Sequence, residues 1–292
     1  MAFMQLEHVR MDLDGDIAVI TLDNPGRRNA LSRPMQEGLR QLIEHIGATP
    51  AIRAVLLTAA GEAFCAGADL AGNGIPPGQE HMTRGQATQK VMEELSNPII
   101  TGLRALPVPV VSALPGVAAG AGVGIALAAD IVVAARSAFF YLPFIPKLGI
   151  VPDLGSTWFL EKLLGRGRAT ALTLLGHRLP AETAQQWGLV WSCVDDAGLR
   201  DEAMKIARQL ARLPRHAALE TRRAYDAAGR NELQAQLQYE AERQCELIDR
   251  PEFEEGVRAF LEKREPDFTR LQGAAPSVGA RNLNNTTRRP PT

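Results

Sequence analysis

The chain has 292 residues, of which 46% are hydrophobic and 22% charged, and its formal net charge is −1 at pH 7. This composition is typical of a globular protein with a large core, and the balanced charge provides no basic field for binding nucleic acid. Because nucleic acid is disfavoured, we expect a small molecule as the ligand. No run of about 18 consecutive apolar residues occurs, so we expect neither export nor a membrane span.

The cysteines Cys65, Cys193 and Cys245 are odd in number and irregularly spaced. They lack the paired spacing of a zinc site, and an odd set fits reduced thiols better than disulfides. We therefore expect a cytoplasmic protein without a bound metal, in which Cys65 is a small buried residue.

The first elements in chain order are a hairpin, a loop and a helix. Two strand-like runs within residues 9–22 predict the hairpin, and the turn-rich loop 24–29 follows it. Ser32 is the predicted N-cap of a helix with apolar residues at helical spacing. The same unit recurs at residues 51–71 and 107–129, which predicts a layered α/β fold. Periodicity alone does not separate a spiral of such units from a doubly wound sheet.

Two turns of small residues each follow a strand-like run. One is the segment 62–70, and the other is the stretch 118–130, which reads as a tight turn and a buried helix. The first N–H groups of a helix have no partner inside it and lie at the positive end of its dipole, so they stabilise an anionic oxygen. Small residues let that oxygen approach. Tight packing of the helix on a sheet is the purely structural alternative. Together the two turns predict two converging N–H donors.

The sequence resembles the crotonase (enoyl-CoA hydratase/isomerase) superfamily over about residues 5–270. The resemblance rests on five segments in the family's order. They are Asn24-Pro25 with Asn29-Ala30-Leu31, then Phe64–Leu70, Pro115–Gly122, Leu148–Thr157 and Glu255–Arg264. It implies an α/β fold in which residues 1–200 form a spiral of ββα units and residues 201–270 form a helical trimerisation segment.

Proteins of this superfamily hold a thioester enolate with two backbone N–H groups, which fall here on Ala68 and Ala121. One such donor contributes on the order of 3 kcal/mol in the transition state. The resemblance also implies contacts to the CoA part of an acyl-CoA substrate, and no separate cofactor. The residues at these positions are Arg27, Arg28, Ala30, Ala66, Asp69, Leu70, Phe260 and Lys263. The planar donor fork of arginine suits phosphates, although two loop arginines can also be merely solvated.

Hydratases of this superfamily share the work between two glutamates, one holding water and one moving a proton. Both are missing here, because the first position falls on Gly124 and the second on Phe144 or Ile145. The nearest carboxylate that could replace them is Asp153, just before an apolar helix. A helix N-cap is the structural alternative for this aspartate. In the ring-epoxide isomerases of phenylacetyl-CoA breakdown and in 4-chlorobenzoyl-CoA dehalogenase, a similar segment carries the catalytic aspartate at the matching position. The motifs of this chain resemble those of the ring-epoxide isomerases most.

The leading hypothesis is an enoyl-CoA isomerase in which Asp153 is both base and acid. A single carboxylate is sufficient, since it removes the α-proton of a 3-enoyl thioester and returns it at the γ-carbon. An apolar pocket with Trp158 or Phe144 would raise the pKa of Asp153. Three alternatives stay open: an enoyl-CoA hydratase, a dehalogenase-like enzyme in which Asp153 attacks an aryl-CoA, and a noncatalytic acyl-CoA binder.

From residue 201 onward the pattern is helical, and helices are predicted at 234–248 and 251–262. An all-helical end segment cannot bury both faces on one core, so we expect subunit contacts. Similar proteins form trimers, often paired into hexamers, and Phe260 and Lys263 resemble residues that reach CoA bound in a neighbouring subunit. The alternative is that these helices cover the core of their own chain and that the lysine is solvated. Residues 271–292 are rich in Gly, Pro and polar residues, which predicts a disordered tail.

Overall fold

The structure is a computed structural model that describes residues 3–69, 81–269 and 271. The strands are β1 (Met4–Leu6), β2 (Val9–Asp14), β3 (Ile17–Leu22), β4 (Ala54–Ala59), β5 (Ala63–Cys65), β6 (Val110–Leu114), β7 (Val117–Ala119), β8 (Ile131–Ala135), β9 (Phe139–Tyr141), β10 (Leu179–Pro180) and β11 (Ser192–Val194). The helices are α1 (Arg33–Ala48), α2 (Arg84–Val91), α3 (Asn97–Ala105), α4 (Ala121–Leu127), α5 (Ser156–Leu175), α6 (Ala181–Gln186), α7 (Leu199–Ala211), α8 (Ala217–Ala228), α9 (Leu233–Ile248) and α10 (Pro251–Glu262). Short 3₁₀ turns lie at Pro25–Arg27 and Asp196–Gly198, and π-helical turns at Met92–Ser96 and Phe144–Leu148.

The larger sheet has seven strands in the order β1-β2-β3-β4-β6-β8-β11. The predicted hairpin is confirmed, because β2 and β3 pair antiparallel with Val9 opposite Leu22 and Asp14 opposite Ile17. From β3 to β11 every pairing is parallel. Parallel strands need covered faces, which explains why all residues of β3 and β6 are buried.

The smaller sheet has four strands in the order β10-β9-β7-β5, with β5, β7 and β9 parallel. Consecutive strands alternate between the sheets: β4 lies in the first and β5 in the second, as do β6 and β7, then β8 and β9. Each strand pair is followed by helix. This repetition is the spiral of ββα units expected from the sequence, and it excludes a doubly wound sheet.

The helices cover both sheets. Ser32 caps α1, since its side chain accepts a hydrogen bond from the Met35 amide, as predicted. Helix α4 contacts β6 of the larger sheet and β5 and β7 of the smaller one, and all seven of its residues are buried. Helix α7 packs on β4, β6 and β8. A glycine- and alanine-rich sequence in α4 is therefore required by its burial between two sheets.

Arg222 of helix α8 makes an extensive set of hydrogen bonds with the core. The Arg222 guanidinium forms two hydrogen bonds with the Asp130 carboxylate, at 2.6 and 2.5 Å. It also donates to three main-chain carbonyls between the last turn of α3 and the start of β6, at 2.6 to 3.0 Å; these belong to Arg104, Leu106 and Val108. Arg222 is only 5% exposed, so its guanidinium lies in the interior, whereas the Asp130 side chain is 20% exposed.

The chain divides into two compact units, Met1–Arg230 and Asn231–Thr292. The first contains both sheets together with α7 and α8, and the second contains α9 and α10, which contact each other. The predicted helices at 234–248 and 251–262 are confirmed to within one residue. A role of residues 201–270 in oligomerisation stays a prediction. The tail prediction, 271–292, falls outside the described residues except for Leu271.

Within the described ranges, no helix combines the length and the apolar character needed to cross a bilayer.

Candidate functional site

The two turns of small residues lie side by side at one edge of the smaller sheet. Strands β5 and β7 are parallel neighbours, so the turns that follow them leave at the same edge. A Cβ built on Gly67 would lie 2.9 Å from the Ala119 carbonyl oxygen and 3.4 Å from the Ala121 nitrogen. Gly67 also has φ +96°, a conformation that favours glycine. The glycine is therefore what allows the two turns to touch.

The predicted donors Ala68 and Ala121 each directly follow a contacting glycine of these turns. Ala121 is the first residue of α4, where a backbone N–H has no partner inside the helix. Ala68 forms an isolated parallel bridge with Leu31, in which the Leu31 amide donates to the Gly67 carbonyl at 2.8 Å. In the described part of the chain, no backbone hydrogen bond is donated by the amide of either alanine. The amides of Ala68 and Ala121 therefore both lie where β5 and β7 end, and neither donates to a main-chain carbonyl of the described residues.

Cys65 lies directly beneath the turn that begins α4. A Cβ on Gly122 would be 2.5 Å from the Cys65 carbonyl oxygen and 3.0 Å from its Sγ. The thiol is fully buried, and burial raises its pKa to about 12. It is therefore neutral at physiological pH and unsuited to act as a nucleophile. The expectation that Cys65 is a small buried residue is confirmed.

Phe144 is at one of the two candidate positions for the second hydratase glutamate, and it forms an apolar wall of the site. It is 4% exposed, and its ring comes within 3.8 Å of a Cβ built on Gly120. Strand β9 brings it there, because β9 is the parallel neighbour of β7 and the Gly120 amide donates to the Tyr141 carbonyl at 2.9 Å. A benzyl group therefore lies beside the turn, and it carries no proton to transfer.

The position of the first hydratase glutamate is filled by main chain. A Cβ on Gly124 would lie 2.1 Å from the carbonyl oxygen and 2.9 Å from the Cβ of Leu154. Real Cβ atoms do not approach a neighbour this closely, so no side chain fits at residue 124 unless the Leu154 backbone moves. The loss of this glutamate is thus part of how the segment around Asp153 packs.

Asp153 precedes α5 but does not cap it. The N-cap of α5 is Gly155, with no side-chain hydrogen bond, and Asp153 contributes only its carbonyl oxygen, which accepts from the Ser156 amide at 2.9 Å. The N-cap alternative for Asp153 is therefore wrong. Its carboxyl Oδ1 is buried and has no hydrogen-bond partner among the described residues.

Burial raises the pKa of Asp153 to about 6. Removal from water disfavours the charged form of a carboxyl group, and the hydrogen bond from the Asp153 main-chain amide offsets the effect only in part. The two aromatic residues expected near it differ in their surroundings. Phe144 is buried, whereas Trp158 is 43% exposed and has the cations of Arg104 and Lys162 over its ring. Trp158 is therefore not part of an apolar enclosure.

Hydrogen bonds connect the predicted CoA-contacting residues of the first unit in pairs. Arg27 donates two hydrogen bonds to the Asp69 carboxylate, at 3.0 and 2.8 Å. The Arg28 carbonyl accepts from the Ala66 amide at 3.0 Å, and the Arg27 carbonyl accepts from the Ala30 amide at 3.1 Å. The loop at 24–30 is thus attached to the turn that carries Ala68. The remaining predicted contact in this region, Leu70, lies outside the described residues.

Asn29 holds the same loop in place, a role that the sequence analysis did not assign. Its side-chain amide donates to the carbonyls of Ala60 and Ala63 at 2.9 and 2.8 Å, and its Oδ1 accepts from the Asn24 amide at 2.8 Å. It is fully buried with φ +54°. The sequence does indicate this role, because asparagine in a turn-rich loop tolerates a positive φ and forms hydrogen bonds with nearby main chain.

Phe260 and Lys263 belong to the second compact unit. Phe260 is 82% exposed on α10, and Lys263 ends that helix in the left-handed conformation with φ +53°. A contact of either residue with CoA stays a prediction.

Comparison with known proteins agrees with the fold and the motifs. A model of the family described as "Enoyl-CoA hydratase/isomerase" matches residues 12–271. The chain is 40% identical over 264 residues to 1,2-epoxyphenylacetyl-CoA isomerase of Escherichia coli (strain K12), covering 90% of this chain and 99% of that protein. It is also 40% identical over 266 residues to a Rhodobacter capsulatus protein named "Probable enoyl-CoA hydratase", covering 91% and 99%.

A solved structure gives the same result. The crystal structure of enoyl-CoA hydratase from Bacillus anthracis matches with a TM-score of 0.80 at 32% identity, covering 89% of this chain and 98% of that chain. A family match over nearly the whole chain, with relatives above 30% identity, leaves one assignment. The chain belongs to the enoyl-CoA hydratase/isomerase family of the crotonase superfamily.

Proposed function

We propose that the protein is an acyl-CoA isomerase in which Asp153 is the single catalytic carboxylate. The observation that carries this proposal is the buried Asp153 Oδ1, which has no hydrogen-bond partner among the described residues. A buried polar atom without a partner costs free energy, so a structural role gives no reason to retain it. Residues 124, 144 and 145 offer no second carboxylate.

The reaction is a proton transfer along the acyl chain. The Asp153 carboxylate takes a proton from the α-carbon of a 3-enoyl thioester, and the electron pair moves onto the thioester oxygen. The amides of Ala68 and Ala121 donate to that oxygen and stabilise the dienolate. The protonated Asp153 then gives the same proton to the γ-carbon, so the double bond moves into conjugation and nothing is consumed.

The raised pKa of Asp153, about 6, suits both halves of this cycle. A carboxyl with this pKa is mostly ionised at neutral pH and can accept the α-proton. Once protonated, it is a weaker acid than a solvated aspartate but a stronger one than water, so it can return the proton.

The names of the relatives support this class of substrate. One relative at 40% identity is named an isomerase of 1,2-epoxyphenylacetyl-CoA, which makes a CoA thioester the substrate we propose here. The other relative at 40% identity is named "Probable enoyl-CoA hydratase", so hydration is the second candidate. Hydration needs a group that positions water in addition to Asp153, and the lack of a second carboxylate favours isomerisation.

We also propose a cytoplasmic homotrimer or dimer of trimers. Unit Asn231–Thr292 exposes large apolar side chains at Leu233, Leu237, Phe260 and Leu261. Burying such residues against another subunit is the usual way to remove them from water.

A panel of CoA esters tests the proposed function. We expect turnover of a 3-enoyl-CoA or a phenylacetyl-derived CoA ester, with a conjugated product whose mass equals that of the substrate. Absorbance reports conjugation and mass spectrometry reports composition. A product heavier by one water from a 2-enoyl-CoA would instead establish the hydratase, and no conversion of any ester would favour a noncatalytic binder.

Gly67→Ala is expected to lower kcat by about 10- to 100-fold, less than the roughly 100- to 1,000-fold of a lost oxyanion donor because the donor is displaced and not removed. The added methyl would meet the Ala119 carbonyl oxygen at 2.9 Å, and alanine disfavours φ +96°. The turn must therefore move, and the Ala68 amide moves with it. Stopped-time assays with the best ester of the panel measure kcat and KM.

Gly198→Ala is the matched control for this substitution. Gly198 lies in a 3₁₀ turn with no atom within 4 Å of a built Cβ and no positive φ. It should retain the wild-type kcat. An unchanged kcat in Gly67→Ala, with the fold intact by circular dichroism, would contradict the assignment of Ala68 as a donor.

A further inference from the structure

The backbone beside Asp153 is held in an uncommon conformation. Leu154 has φ +46°, in the left-handed region that residues with a side chain rarely adopt, and it is only 4% exposed. Its carbonyl oxygen and Cβ are the atoms that lie against Gly124 of helix α4. An uncommon conformation of this kind persists only where the surrounding packing imposes it.

Helix α4 supplies that packing. All seven of its residues are buried, and it contacts both sheets and α5, so it cannot shift to make room. At most positions on such a helix a side chain would hold the next segment several ångströms away. At Gly124 the backbone of Leu154 comes into direct contact, and Asp153 is the residue immediately before it.

We propose that Gly124 is a positioning residue: its missing side chain lets the Leu154 carbonyl pack against α4, and this contact sets where the Asp153 carboxyl stands. The inference rests on the proposed role of Asp153 in proton transfer. Gly124 itself touches no substrate, and it acts through the main chain of Leu154.

The elements packed around Asp153 carry few charged groups that could change the pKa of its carboxyl. Helix α4, residues Ala121–Leu127, carries no titratable side chain. Helix α5 begins with Ser156, Thr157 and Trp158, and its first charged residue is Glu161. No charged neighbour contributes to the pKa of Asp153, which burial raises and a hydrogen bond from its own main-chain amide partly lowers. The position in which the backbone holds the carboxyl therefore determines its ionisation.

Gly124→Ala tests the proposal in the full-length protein. The new Cβ must displace Leu154, and Asp153 with it, toward solvent. We expect kcat to fall about 10-fold with KM changed less than about twofold, because binding of the CoA ester does not depend on Asp153. We also expect the acidic limb of the kcat against pH profile to move below its wild-type midpoint, since a more exposed carboxyl has a lower pKa. A merely structural role would not move that limb.

Leu154→Gly provides a second variant that adds no atoms. It removes the Cβ that packs against Gly124 and makes the left-handed conformation optional. We expect the same direction of change in kcat and in the pH profile. In the double variant Gly124→Ala with Leu154→Gly, the flexible backbone can avoid the new methyl, so at least part of the activity lost in Gly124→Ala should return.

Gly167→Ala is the matched control, since Gly167 lies in α5 with no atom within 4 Å of a built Cβ and no positive φ. It should keep the wild-type kcat and pH profile. The proposal is overturned if folded Gly124→Ala and Leu154→Gly both keep the wild-type kcat and acidic limb. An Asp153→Asn variant distinguishes failure of the proposed function from failure of the positioning role. Residual activity above a few per cent in that variant would reject the proposed function. Its inactivity, beside Gly124 and Leu154 variants with wild-type kcat and pH profile, would reject only the positioning role.

Discussion

Asp153→Asn is expected to lower kcat by at least about 100-fold, within the range assigned to a general acid–base group. The amide nearly preserves the shape of the side chain but can neither take the α-proton nor return it. Contacts to the CoA part of the substrate should survive, because no residue predicted to make them is altered. The rate constant falls while the dissociation constant for a CoA ester stays within about twofold of the wild-type value.

The same substitution is expected to stabilise the protein above pH 6. The pKa of Asp153 is raised from 3.8 to about 6 by burial, so ionising it in the folded state is less favourable than in the unfolded chain. Below about pH 4 the group is protonated in both states and contributes nothing. Between pH 4 and 6 the penalty grows, and above pH 6 it is complete, on the order of 2 to 3 kcal/mol. Asparagine carries no charge and avoids this penalty.

Urea unfolding at pH 4 and pH 8 measures the stability effect, and calorimetric titration with a CoA ester measures binding. The control is Glu161→Gln, an exposed acid on α5 that should alter neither turnover nor stability. Residual activity above a few per cent in Asp153→Asn would contradict the role of Asp153. A variant less stable than the wild type at pH 8 would contradict its unpartnered burial.

Arg222→Ala is expected to destabilise the fold by about 2 to 4 kcal/mol, because interior main-chain carbonyls and the Asp130 carboxylate, whose side chain is 20% exposed, lose their donor. Asp130 loses two hydrogen bonds from the guanidinium, although it keeps the one from the Val110 amide at 2.8 Å. Three main-chain carbonyls before β6 lose their donor as well. An acceptor left without a partner in the interior costs its full desolvation.

The neighbouring arginine provides the control for this prediction. The Arg223 side chain is 58% exposed and forms an ion pair with Glu220 at 3.4 Å. Such a surface pair contributes 0 to about 1 kcal/mol, so Arg223→Ala should shift the urea midpoint little. Equal destabilisation by the two substitutions would show that α8 is not attached through Arg222. The double variant Asp130→Ala with Arg222→Ala should be less destabilised than the sum of the two single variants, since it leaves no charge unpaired.

The amino-acid sequence by itself determined those features that depend on local pattern. The alternation within residues 9–22 specifies the hairpin, the serine at position 32 specifies the start of α1, and helical spacing specifies α9 and α10 within one residue. Each of these is set by interactions between residues close in the chain. Family motifs, which preserve longer-range information, added the spiral and the positions of the site.

Only the tertiary structure decided which distant groups meet and which are removed from water. The turns at Gly67 and Gly120 are brought together by the parallel pairing of β5 with β7, which no local pattern specifies. That Asp153 does not cap α5, and that Leu154 beside it packs against Gly124, thirty residues earlier in the chain, is not specified by any local pattern. Burial and contact are properties of the assembled layers, and the pKa on which the proposed chemistry depends arises from them.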